Sequence, residues 1–103
     1  MNSNESVDFN NRTIIDQKGF IKNFVSTRGS YQYLIGIKNE NDTIYYCDKY
    51  LNAEYHQDNL MIEFNGVLQY DSTLIYKPAP NDIPILDFKT RNINTFDIEI
   101  ISD

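Results

Sequence analysis

Cys47 and His56 are the only cysteine and histidine of the chain. A thiol nucleophile needs a base within hydrogen-bond reach, and the spacing of these two gives such a dyad no support. Cys47 closes the apolar run IYYC and reads as a small buried hydrophobe rather than a reactive thiol. His56 reads as a solvated surface side chain. Glu54, His56 and Asp58 would cup a cation only as a loop, since on a helix Glu54 and Asp58 share a face that His56 does not. Metal centres need several convergent ligands, so no metal site is expected. The fifteen carboxylates make some close pair inevitable. A hydrolase needs one of them desolvated to raise its pKa, and the sequence marks none. Four dispersed glycines form no phosphate-cradling loop. The expectation is a non-enzymatic chain without cofactor.

The eight tyrosines offer a different chemistry. A tyrosine ring combines apolar area with a hydroxyl, which suits partly wet interfaces with proteins or glycans. Tyr31 and Tyr33 alternate onto one face of a strand candidate, and Tyr45 and Tyr46 lie on the next one. Tyr31, Tyr33 and Tyr45 are the candidate binding residues. Tyr45 joins the other two only if the strands pair in the expected hairpin register. The competing reading makes these rings part of the core.

The elements that must position them are strands. Gln17 to Ser26 alternates imperfectly, and Tyr31 to Lys38 gives the cleanest two-residue period in the chain. The turn Thr27-Arg28-Gly29-Ser30 joins them. Asn39 to Asp42 forms a polar hairpin loop, and Thr43 to Cys47 is strand three. Leu51 and Tyr55 sit four apart, so a single helical turn between Asp48 and Asn59 would bury both. Strand four runs from Leu60 to Tyr70, with Leu60, Ile62 and Phe64 on its core face. Asn65-Gly66 is either a hairpin turn or a bulge. A bulge is favoured, because a turn would leave strands too short to close a barrel. Asp71 to Pro84 reads as loop-rich, with Leu74, Ile75 and Tyr76 tucking in locally, and Pro78, Pro80 and Pro84 each remove a ladder donor. Ile85 to Lys89 is strand five, and Ile93 to Ile101 returns to strand after a bend. Three strands, a short connector and two more strands predict an all-β fold. It is a small five-stranded, OB-like Greek-key barrel with one helical turn between strands three and four.

The chain has 103 residues, enough for one domain and one core. Residues 1–12 form a polar, Asn-rich leader expected to be disordered, and residues 13–103 form the domain. No segment approaches the length of a membrane-spanning helix. The formal net charge is −6 and the nine basic residues are scattered. Phosphate backbones repel such a chain, so no nucleic-acid binding is expected. Thirteen asparagines make the sequons at Asn4, Asn11 and Asn41 unremarkable.

The segment YLNAEYHQDNLMIEFNGVL, followed by PILDFKTRNI, resembles small OB-like bacterial envelope proteins of the NigD-like and related lipoprotein families. Their features fall here on Leu51, Glu54-Tyr55, Asp58-Asn59, Leu60 to Gly66 and Pro84-Ile85. The chain departs from them at Asn52, where such proteins often carry proline, and it lacks a lipid-attachment cysteine. The resemblance implies a periplasmic or extracellular location, with a lipid anchor on the precursor; a cytosolic one fits the polar leader equally. It implies no chemistry. The functional expectation is a non-enzymatic binding or interaction module of the cell envelope, with a protein or glycan ligand. The alternative is a small acidic inhibitor or immunity-type protein that blocks a basic enzyme. Oligomeric state does not follow from these residues.

Overall fold

The computed structural model describes residues 12–27, 30–81 and 83–101. Five strands form a closed barrel: β1 Thr13–Thr27, β2 Ser30–Lys38, β3 Thr43–Cys47, β4 Met61–Lys77 and β5 Ile85–Ile100. Their order around the barrel is β1-β2-β3-β5-β4, and β4 closes on β1. All neighbours are antiparallel except β3 and β5, which run parallel. A single 3-10 turn, Ala53–Tyr55, lies between β3 and β4. Asn52 caps it by accepting a hydrogen bond from the Glu54 N–H. This is the all-β, OB-like barrel that the strand pattern predicts. All of the leader expected over residues 1–12 except Arg12 lies outside the described residues, as do Arg28 and Gly29 of the β1–β2 turn.

Period-two alternation fills the barrel. Ile21, Ile35, Ile62, Phe64, Leu68 and Ile93 point inward and pack together, and Leu51 plugs one end from the connector. Phe64, about 1 % exposed, contributes about 1.5–3 kcal/mol through burial of its ring. Tyr55 and Leu60 pack against the same cluster. The expected turn is present, but Leu51 lies just before it and is buried, whereas Tyr55 at its end is half-buried.

Three sequence expectations need correction. First, β4 passes straight through Asn65-Gly66 without turning, as the favoured bulge reading requires, but the extra residues are not its own. At this point the bulges lie on its neighbours, where the register slips between Ile14 and Gln17 of β1 and around Asp97 of β5. Gly66 is there for close packing, since a Cβ on it would lie 2.7 Å from Ile93 Cδ1. Second, most of the expected loop after Tyr70 is strand. β4 continues to Lys77 and β5 begins at Ile85, so the two form a long hairpin arm beyond the barrel. The prolines sit at its tip, outside the ladder, where a missing N–H costs nothing. Third, the bend expected at Thr90 to Asn92 is absent, and β5 is continuous. Arg91 and Asn92 are the residues that pair with β3, and that pairing keeps the segment extended.

Candidate functional site

The structure brings together two of the three candidate tyrosines. The Tyr31 and Tyr33 rings lie 6.5 Å apart, and Tyr33 stacks on His56 with centroids 4.6 Å apart and planes 12° from parallel. Tyr31 is more than half exposed, and Tyr33 packs against the rim of the barrel core. Tyr45 is on the other face. It pairs with Gly36, an even-numbered position of β2, whereas Tyr31 and Tyr33 are odd. Its neighbours are Phe20, Phe24 and Phe88, the first two edge-on at 6.2 and 5.2 Å. Tyr46, which pairs with Ile35, packs against the barrel core.

The outer face of β2 and β3 is partly covered by the chain itself. The β4–β5 arm folds back over it, so that Ile75 meets Leu34 and Cys47. Leu34 and Ile35 are adjacent yet both fully buried. One faces the barrel interior and the other the arm. The Gln32 side chain fixes the arm by donating to the Leu74 carbonyl at 3.0 Å and accepting from the Tyr76 N–H at 3.2 Å. The Thr90 hydroxyl adds a bond to the Tyr45 carbonyl. Burial in this cluster pushes the Cys47 thiol up from its ordinary pKa, and a hydrogen bond with Thr73 offsets part of that rise. His56 is held elsewhere, within 3.1 Å of the Leu51 carbonyl at the barrel end. Asp58 accepts from the Asn23 N–H at 2.8 Å. Among the described residues, no three His, Cys, Asp or Glu side chains cluster as a metal site would require.

A polar pocket of about 220 Å³ lies where β4 bulges away from β5. Leu68 pairs with Ile93 and Ser72 with Arg91, so Gln69, Tyr70 and Asp71 together face Asn92 alone. Arg91 stabilises the bulge by donating to the Gln69 carbonyl at 2.6 Å. Asn92 and Asn94 of β5 contribute to the pocket lining, with Gln69 and Asp71 on the bulge side. The opposite wall is Lys49-Tyr50, just past β3. Asp48 anchors that wall, since its buried carboxylate accepts from the Tyr50 N–H at 3.0 Å and the Thr95 N–H at 3.1 Å, and from the Thr95 hydroxyl. Lys49 Nζ and Asp71 Oδ2 approach to 3.7 Å across the pocket.

Two features give this pocket binding chemistry. The Asn92 side chain is 2 % exposed, its oxygen accepts from the Thr73 hydroxyl at 2.5 Å, and its Nδ2 has no partner among the described residues. A buried donor left unpaired costs about 1–3 kcal/mol, and Asn92 contributes to the pocket wall. Tyr50, at 83 % exposed, offers a ring face beside the pocket. Sequence reasoning missed Tyr50, Asp71, Asn92 and Asn94. The available signal was the polar interruption QYDST between Leu68 and Leu74, which marks a strand that cannot keep its ladder.

Compared with models of known protein families, with curated proteins and with solved structures, the chain matches none.

Proposed function

We propose that the chain is a non-catalytic glycan-binding module of the bacterial cell envelope. The observation that carries the reading is the pocket around Asn92. Sugars present adjacent hydroxyls, each both donor and acceptor, on a ring with apolar faces. The pocket supplies carboxamides at Asn92 and Asn94 and a carboxylate at Asp71, and these match a hydroxyl pair in either sense. Tyr50 supplies the stacking surface, and its hydroxyl tolerates water at the rim. The polar lining of the pocket favours a ligand that brings hydroxyl groups, not an apolar one. The envelope location rests on the resemblance of residues 50–68 and 84–93 to envelope lipoprotein domains.

A glycan array followed by titration calorimetry tests this reading with wild type, Tyr50→Ala and Asp71→Ala. Both side chains are solvent-exposed, so the variants are expected to unfold at the wild-type temperature. Loss of the Tyr50 ring weakens binding roughly twofold to tenfold. Binding that survives both substitutions places the ligand elsewhere.

A further inference from the structure

A second surface has chemistry that the glycan pocket does not use. The outer face of β1 carries Lys18, Phe20 and Lys22, and the facing end of β2 carries Lys38. A groove of about 390 Å³ runs along Phe20, bounded by Lys18, Lys38, Met61 and Asn59. Its floor is apolar for a structural reason. Gly36 pairs with Phe20, and the Phe20 ring lies over it so closely that a Cβ would come within 2.6 Å of Cζ. The missing side chain at Gly36 leaves the Phe20 ring room to lie against β2. Met61 pairs with Phe20 on the other side and is 37 % exposed, so a flexible thioether lines the groove. Lys38 Nζ sits 5.9 Å from the Phe20 centroid.

Charge makes the groove unusual. The chain carries fifteen carboxylates and only nine Lys and Arg. Glu63 stands opposite Lys18 in the β1–β4 ladder. Among the described residues, however, neither Lys18 nor Lys38 enters an ion pair. Two unneutralised ammonium groups thus flank an aromatic and thioether floor, on a protein whose net charge repels anions elsewhere. An occupant that satisfies both features has one negative charge and a flat apolar body. A long polyanion fits less well, because beyond this groove it would meet a protein of net charge −6.

We infer that the groove between Lys18 and Lys38 binds a small aromatic carboxylate. The ring lies on Phe20 and Met61, and the carboxylate faces the two ammonium groups. This site is separate from the pocket around Asn92, so each stands or falls alone.

Titration of the full chain with naphthoate and with its uncharged amide, naphthamide, tests the inference. Naphthoate binds saturably and more tightly than naphthamide, and the difference shrinks as salt screens the exposed lysines. Lys18→Met and Lys38→Met each weaken naphthoate by roughly twofold to fivefold. Both leave naphthamide unchanged, and Tyr50→Ala changes neither ligand. Equal affinity for acid and amide overturns the inference. So does unchanged naphthoate affinity in both lysine variants, or a single-stranded oligonucleotide that binds more tightly than naphthoate and displaces it.

Discussion

The Asn65 carboxamide oxygen accepts a hydrogen bond from the Asp16 backbone N–H at 2.7 Å. The same side chain donates to Asp97 Oδ2 at 3.4 Å. Asp16 and Asp97 belong to β1 and β5, the two neighbours of β4, and both have left-handed backbones, with φ of 51° and 54°. One asparagine on the central strand thus contacts the bulges that let both partners curve. A small barrel needs such bends to close.

Asn65→Ala is predicted to lower stability by about 1–2 kcal/mol, through lost hydrogen bonds at two bulges. Asp16→Gly keeps the N–H that Asn65 accepts and relieves the left-handed strain, so it should leave stability unchanged or raise it by up to about 1 kcal/mol. Urea titration measures both. A glycine variant less stable than wild type by as much as the alanine variant would show that the Asp16 side chain itself is needed.

The Gln32 carboxamide bonds the backbone on either side of Ile75, much as a neighbouring strand would. Gln32→Ala should therefore loosen the β4–β5 arm more than the barrel. Amide exchange at Tyr76 is predicted to accelerate while Ile21 and Ile62 remain protected. Ile75→Ala removes the buried contact itself and is predicted to cost about 2–5 kcal/mol. Uniform loss of protection across β1 and β4 in the Gln32 variant would mean that arm and barrel unfold as one unit.

The barrel was legible in the sequence because Tyr31 to Lys38 and Leu60 to Phe64 alternate cleanly, and because Leu51 and Tyr55 pointed to one short turn between strands three and four. The arm was not. Leu74 and Ile75 lie beside the polar run QYDST and ahead of three prolines, and local composition there says loop. Tertiary contact overrides it, since Ile75 finds Leu34 and Cys47 across the fold. The pocket was less legible still. Asn92 lies in a run of polar and charged residues, and only its pairing with Cys47 and its place opposite the bulge bury it. The tyrosine pattern placed Tyr31 and Tyr33 on one face. It could not place Tyr45, whose face depends on the register of β3 against β2.

Cys47 should make stability depend on alkaline pH. Burial favours the neutral thiol, so its folded pKa lies above the unfolded value. Below the unfolded pKa both states hold the proton and the contribution is fully present. As pH rises from about 8.5 through the folded value, the unfolded chain alone loses its proton and the contribution is lost. The loss of stability over that range should be steeper in wild type than in Cys47→Ala. Thiol labelling of the native protein should also be slow and should accelerate on unfolding. Parallel pH profiles for the two proteins would show that Cys47 titrates as a solvated thiol.

Asp48 ties the fold to the proposed ligand. Its buried carboxylate joins the Tyr50 N–H to Thr95, so it fixes the wall of the pocket against β5. Asp48→Ala leaves these donors without their acceptor and is predicted to cost about 2–4 kcal/mol. Asp48→Asn keeps one acceptor oxygen and should recover part of that loss. Because Asp48 does not itself line the pocket, its effect on binding should act through Tyr50. Glycan affinity measured on the folded Asp48→Asn protein should fall, and adding Tyr50→Ala should weaken it by less than the same change does in wild type. If the two substitutions instead weaken binding additively, Asp48 does not act by positioning Tyr50.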